Sequence, residues 1–86
     1  MTLADKMDIA FREEILAGLK TGSDLSELAV KYKDLGMDNE SMYHNLEVLR
    51  QERRAKEDEA SEDLIMDLMD RVVGWCNPDS RIFPEA

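Results

Sequence analysis

Apolar residues recur at helical spacing along most of this chain and predict four helices. In the first segment they are four residues apart, which places them on one side of a helix. The members of this stripe are Met7, Phe11, Ile15 and Leu19. Gly22 and Gly36 follow the first two apolar segments and predict helix ends, because glycine readily adopts the left-handed conformation found there. We therefore expect helices over about 3–20, 24–35, 38–57 and 61–76, followed by an irregular tail over 77–86.

This order of elements favours an all-α fold. The short connections at Gly22 and Gly36 place consecutive helices side by side and antiparallel, as in a small helical bundle. A length of 86 residues suits a single domain. Only 6% of the residues are aromatic, so the core has to be built mainly from Leu, Ile, Val and Met. We expect one acidic domain of about four helices spanning residues 1–86.

A polar stretch over 50–63 interrupts the apolar pattern and leaves two arrangements open. It has no Gly or Pro and consists of good helix formers, so the third helix could project into solvent as a polar arm. The alternative is a break near Ser61, which is a good N-cap followed by two acids suited to a first turn. Beyond the stretch, the apolar face predicted for the fourth helix comprises Leu64, Ile65, Leu68, Met69, Val72 and Val73.

The charge of the chain restricts its partners. Its formal net charge is -9, from 20 acidic and 11 basic residues. Such a field repels nucleic acid and anionic membranes and attracts basic partners. The segment from Glu57 to Asp70 contains seven acids and no Lys or Arg. It is either a solvated face that keeps the protein soluble or a surface that binds a basic protein.

Sequence signals for catalysis and metal binding are weak. The best metal candidate is a row of carboxylates on one helix face, comprising Glu59, Asp63, Asp67 and Asp70. Side chains on one helix point outward, whereas calcium takes six or more oxygen ligands. One histidine, His44, and one cysteine, Cys76, are too few for a zinc site. We therefore expect no enzyme activity, no metal and no cofactor, and a small metal-dependent enzyme is the weakest alternative.

The C-terminal tail combines large apolar residues with two prolines. We expect Ile82 and Phe83 to fold back and close one end of the bundle. In the alternative arrangement, Trp75, Arg81 and Phe83 form an exposed anchor for a partner, because Trp and Arg contribute strongly to interfaces.

Targeting signals are weak as well. The N-terminus becomes charged at Asp5 and lacks the apolar stretch of a signal peptide. No apolar run approaches the roughly 18 residues that a membrane span needs. A single cysteine cannot form an intrachain disulfide, which fits a reducing compartment. We expect a cytoplasmic protein.

These observations favour a non-catalytic, acidic protein-binding module with a basic protein as its partner. The residues expected to meet that partner are Glu59, Asp63, Asp67, Asp70, Trp75, Arg81 and Phe83. The chain carries no family motif, but its size, acidity and helicity are similar to those of bacterial immunity and antitoxin proteins that block basic nucleases. That similarity implies an inhibitor or immunity-type role. A structural or regulatory homodimer is the second hypothesis, in which the basic residues between Arg50 and Lys56 pair with the acidic segment of another copy.

Overall fold

The computed structural model describes residues 3–74 and 81–83, and this part of the chain contains four α-helices and no strand. The helices are α1 (Leu3–Thr21), α2 (Leu25–Asp34), α3 (Asn39–Ala55) and α4 (Glu59–Val73). The prediction of a small all-α bundle is confirmed. None of these described helices combines the length and apolar character that crossing a bilayer requires.

All four helices contribute to one hydrophobic core. In this core the rings of Phe11 and Tyr32 meet edge to face, with centroids 5.2 Å apart. Asn45 is a buried polar residue, and its side-chain amide donates hydrogen bonds of 2.9 Å to the Asp8 carboxylate and to the Ser41 carbonyl. The bond between Asn45 and Asp8 links α3 to α1. The core residues with no exposed surface are Phe11, Ile15, Ala29, Met42, Leu46, Ile65 and Val72.

The turn between α2 and α3 has the predicted glycine. Gly36 has a φ of +109°, and its N–H donates a 2.9 Å hydrogen bond to the Lys33 carbonyl. The next N–H, that of Met37, donates to the Tyr32 carbonyl at 3.0 Å. This pattern satisfies carbonyls left free at the end of α2 and brings the Met37 side chain into the core, where it is buried.

The polar stretch over 50–63 contains the break of the second expected arrangement, but the N-cap is Asp58 and not Ser61. Helix α3 ends at Ala55 instead of projecting as an arm, and the chain turns through Glu57, a non-glycine residue with a φ of 58°. The N-cap of α4 is Asp58, which accepts a 3.2 Å hydrogen bond from the Ser61 N–H. The break therefore lies three residues before Ser61. Helix α4 then packs against α3 along its length, as an antiparallel hairpin.

Helix α4 ends earlier than predicted, and its buried face is narrower. Gly74, with a φ of +85°, ends the helix at Val73. The centre of the predicted face is buried, but Leu64 is 53% exposed and Val73 is 40% exposed, so the prediction was wrong for both. Each lies about 90° around the helix from the centre of the buried stripe, at the edge of what neighbouring helices cover. The buried members are Ile65, Leu68, Met69 and Val72.

The C-terminal residues return to the bundle. The Ile82 N–H donates a 3.1 Å hydrogen bond to the Arg71 carbonyl at the end of α4. Both Ile82 and Phe83 are buried, and the Lys33 ammonium lies 5.3 Å from the centroid of the Phe83 ring. The predicted fold-back of these two residues is confirmed. The rest of the predicted tail, together with Trp75 and Cys76, lies outside the described residues.

Candidate functional site

Four of the five acids of α4 form one row on the face opposite the core. Their spacing of four, four and three residues keeps them within about 80° of the helix circumference. All four side chains are exposed. We name this set the acidic row: Glu59, Asp63, Asp67 and Asp70. The structure thus brings four of the predicted site residues onto one solvent-facing surface.

Most of the negative charge of the acidic row is uncompensated. Asp67 pairs with Arg71 one turn later, at 3.3 Å. The other three members, Glu59, Asp63 and Asp70, form no ion pair with any residue over 3–74 or 81–83. Helix α4 therefore presents to solvent three carboxylates that have no ion-pair partner among residues 3–74 and 81–83, which concentrates negative potential on one side of the molecule.

The basic residues of α3 interact with acids of their own chain. Arg50 pairs with Glu47 on α3 and, at 3.5 Å, with Glu62 on α4. The hydrogen bond between Arg50 and Glu47 lowers the pKa of the Glu47 carboxyl and raises the pKa of the guanidinium. Arg53 lies 3.9 Å from the Asp58 carboxylate. Two of the cations that the homodimer hypothesis requires are therefore already engaged inside one chain.

A groove between α3 and α4 runs beside the acidic row. One part of it is a cavity of about 190 Å³, lined by Tyr43, Glu47, Arg50, Met66, Met69 and Asp70. The other part is a cavity of about 630 Å³ at the turn between the two helices. Arg50 and Met66 line both cavities, so the two spaces are neighbours. We name the two cavities together the α3–α4 groove.

The walls of the α3–α4 groove combine apolar and anionic surface. Tyr43 on α3 is 39% exposed and Met66 on α4 is 44% exposed, although both are large apolar side chains. The lining also contains six carboxylates and two guanidinium groups. The carboxylates belong to Glu47, Glu57, Asp58, Glu59, Glu62 and Asp70, and the guanidinium groups to Arg50 and Arg54. The groove is therefore suited to a ligand that is both apolar and basic.

Two further cavities lie outside the α3–α4 groove. In the one between α2 and α4, of about 270 Å³, Arg71 donates a hydrogen bond to the Ser26 hydroxyl and pairs with Asp67. The other, of about 430 Å³, lies between α1 and α3 and contains His44, which is exposed, and Asp8, which is held by Asn45. Within the described residues, no three His, Cys, Asp or Glu side chains are grouped so that they could hold a metal ion.

The three remaining predicted site residues lie away from the acidic row or outside the described part. Phe83 is 6% exposed and packs in the core, so it offers no exposed anchor. Arg81 packs against Gly74 at the end of α4, and its buried Nε atom has no hydrogen-bond partner among the described residues. Trp75 belongs to the part that the structure does not describe.

Sequence reasoning missed Met66 and therefore the groove. Ile65, Leu68 and Val72 share the helical spacing that places them in the core, and Met66 does not share it. An apolar residue out of phase with the buried stripe was the available signal, because such a residue has to lie at the surface of the helix.

No protein-family model, curated protein or solved structure matches this chain.

Proposed function

We propose that this protein is a non-catalytic, acidic protein-binding module that presents the acidic row to a basic surface of another protein. The observation that carries the proposal is that Glu59, Asp63 and Asp70, on the solvent face of α4, form no ion pair within the described part of the chain. Like charges held in a row oppose the stability of the isolated helix. A basic partner removes this repulsion when it binds.

The scaffold suits a binding role. Helix α4 is fixed by its buried side chains and by its packing along α3, so the acidic row is held in place before a partner arrives. Preorganised charge accelerates association with an oppositely charged surface and makes the rate sensitive to salt. A module of this kind acts as an inhibitor, in the manner of an immunity protein, if the basic surface that it covers is the active site of its partner.

Replacement of Asp63, Asp67 and Asp70 by Asn tests the proposal. The triple variant keeps side-chain size and removes three negative charges from the acidic row. A matched control removes three negative charges from exposed positions on α1 and α2, through Glu13→Gln, Glu27→Gln and Asp34→Asn. The two variants have the same net charge, so any difference between them reports the position of the charge.

The partner is the protein that the immobilised chain retains at low salt and releases at high salt. Its association rate should fall, and the salt dependence of that rate should flatten, more in the row variant than in the control. Equal effects of the two variants would show that the total charge, and not the acidic row, steers the association. No effect of the row variant would show that the acidity serves solubility alone. A mass that doubles with concentration and no retained partner would favour the homodimer.

A further inference from the structure

We propose that the α3–α4 groove is the docking site for a basic amphipathic helix of the partner protein. The helix inserts an apolar side chain between Tyr43 and Met66 and places Lys or Arg side chains over the carboxylates that line the groove. This inference rests on the proposed function, because it takes the partner to be a basic protein, and it adds the surface and the shape of the ligand.

The length of the groove fits a helix. The lining runs from the level of Tyr43 and Asp70 to the turn at Glu57 and Asp58. On α4, which forms one wall, the lining extends from Glu59 to Asp70 and is therefore about 17 Å long. A ligand helix of about three turns matches that length. Amphipathic helices bind grooves of this kind through apolar residues on one face.

The apolar part of the groove suits one large side chain. Tyr43 and Met66 stand on opposite walls, and Met69, which is 6% exposed, lies between them and the core. The cavity of about 190 Å³ at this point is large enough for a Leu, Met or Phe side chain. Methionine adapts its shape to different apolar ligands, and a tyrosine ring supplies a rigid contact.

The charges of the groove select a basic ligand. Six carboxylates face two guanidinium groups along the lining. Arg50 is already held by Glu47 and Glu62, whereas Glu57, Glu59 and Asp70 form no ion pair with a described residue. Lys or Arg side chains on the flanks of a bound helix would meet these unpaired carboxylates on both sides of the apolar contact.

The same charges disfavour a second copy of this chain as the occupant. Each copy has a formal net charge of -9, and a two-fold contact through the groove would bring the carboxylates of both copies together. Like charges brought together in an interface repel each other and oppose association. A basic helix has the opposite charge and an apolar face, and it satisfies both features of the groove.

The test uses a synthetic peptide of Ala, Lys and Leu, with Leu at helical spacing on one face and Lys on either side. A control peptide keeps every Lys and replaces each Leu by Gln. Binding is followed in the full chain by the NMR signals of the methionine methyl groups. The Leu peptide should shift the signals of Met66 and Met69, while those of Met37 and Met42, which are buried in the core, stay in place.

Two variants locate the contact. Met66→Gln should weaken binding of the Leu peptide about tenfold, because one buried apolar contact is lost. Leu35→Gln is the matched control: Leu35 is an apolar residue with 61% exposure at the end of α2, away from the groove, and its replacement should leave the affinity unchanged. The Gln-substituted peptide should bind at least about tenfold more weakly than the Leu peptide.

The outcomes separate this inference from the proposed function. Equal binding of both peptides, with no loss of affinity in Met66→Gln, would overturn the inference that the groove binds a helix. Slower association of the Asp63, Asp67 and Asp70 variant with the partner would still support the proposed function. Absence of any shift in the NMR signal of Met66 would also overturn this inference. A Met66 signal that moves with protein concentration alone would assign the groove to a second copy and overturn the inference as well.

Discussion

Leu64 and Leu68 lie one turn apart on α4 and differ sharply in environment: Leu68 is 2% exposed and Leu64 is 53% exposed. Leu68 lies within the stripe formed by Ile65, Met69 and Val72, which faces the other helices. Leu64 lies at the edge of that stripe and lines the open cavity near Ser26. Helix α4 is therefore buried over a narrow angle, and the surface that remains carries both acids and apolar residues.

The different burial of Leu64 and Leu68 predicts that replacement by Ala lowers the free energy of unfolding by different amounts at the two positions. Leu68→Ala should lower the free energy of unfolding by about 2–5 kcal/mol, because it removes buried methyl groups and leaves a cavity. Leu64→Ala should change it by less than about 0.5 kcal/mol, since most of that side chain already contacts water. Urea unfolding followed by circular dichroism measures both values. Similar losses at the two positions would contradict the narrow buried face.

A second prediction concerns the turn between α3 and α4. Glu57 has a φ of 58°, a conformation that costs a residue with a side chain about 1 kcal/mol and that glycine adopts freely. Glu57→Gly should therefore stabilise the protein by about 0.5–1 kcal/mol.

The control for this effect is Glu57→Ala, which removes the same charge and keeps the β-carbon. It should not stabilise the fold, because alanine in the left-handed region is strained as well. Equal stabilisation by Gly and Ala in urea unfolding would show that the lost charge, and not the backbone, accounts for the gain.

The turn at Glu57 shows what the sequence could and could not predict. The end of α2 was visible because Gly36 marks it, whereas at Glu57 the chain uses a left-handed residue without glycine or proline. Here the helix ends through backbone hydrogen bonds, from the Glu57 N–H to the Arg54 carbonyl and from the Asp58 N–H to the Arg53 carbonyl. Residue type alone does not encode such bonds.

The candidate surface was also predictable only in part. The acidic row follows from the spacing of four residues on one helix, so the sequence was sufficient to place them together. The α3–α4 groove depends on how two helices lie against each other, which brings Tyr43 opposite Met66. Periodicity in one helix indicates which face is buried, but it does not determine where the neighbouring helix stops covering it.

A third prediction uses the N-cap of α4. Hydrogen bonds from Ser61 lower the pKa of the Asp58 carboxyl below its ordinary value of 3.8, and the charge of Arg53 acts in the same direction. A lowered pKa in the folded state means that the ionised carboxylate stabilises the fold above pH 3.8 and that this contribution is lost as the pH falls through the folded-state pKa.

Asp58→Asn retains a side-chain oxygen for the cap and removes the titrating group. The wild type should be more stable than this variant at neutral pH, and the difference should shrink as the pH is lowered past 3.8. Urea unfolding of both proteins across this range measures the difference. A difference that is independent of pH would show that the charge of Asp58 contributes nothing to the cap.

The last prediction concerns Tyr32, which joins α2 to α1. Burial raises the pKa of its hydroxyl from 10.0 to about 12, and the hydrogen bond to Glu14 acts in the same direction. On the other side of this contact, the hydrogen bonds from Tyr32 and Lys31 lower the pKa of the Glu14 carboxyl. Because the folded-state pKa of Tyr32 is raised, its stabilising contribution is complete below pH 10 and is lost as the pH rises toward 12.

Tyr32→Phe preserves the ring that packs against Phe11 and deletes the hydroxyl that bonds Glu14. At neutral pH the variant should be less stable than the wild type by about 1 kcal/mol, the usual net value of such a hydrogen bond. Between pH 10 and 12 the wild type should lose stability faster than the variant, because only the wild type has to keep a phenol protonated in the core. Urea unfolding of both proteins at a series of alkaline pH values measures this difference in stability. The contribution of the lysines is common to both proteins and cancels in the comparison. A constant difference up to pH 12 would contradict the raised pKa of Tyr32.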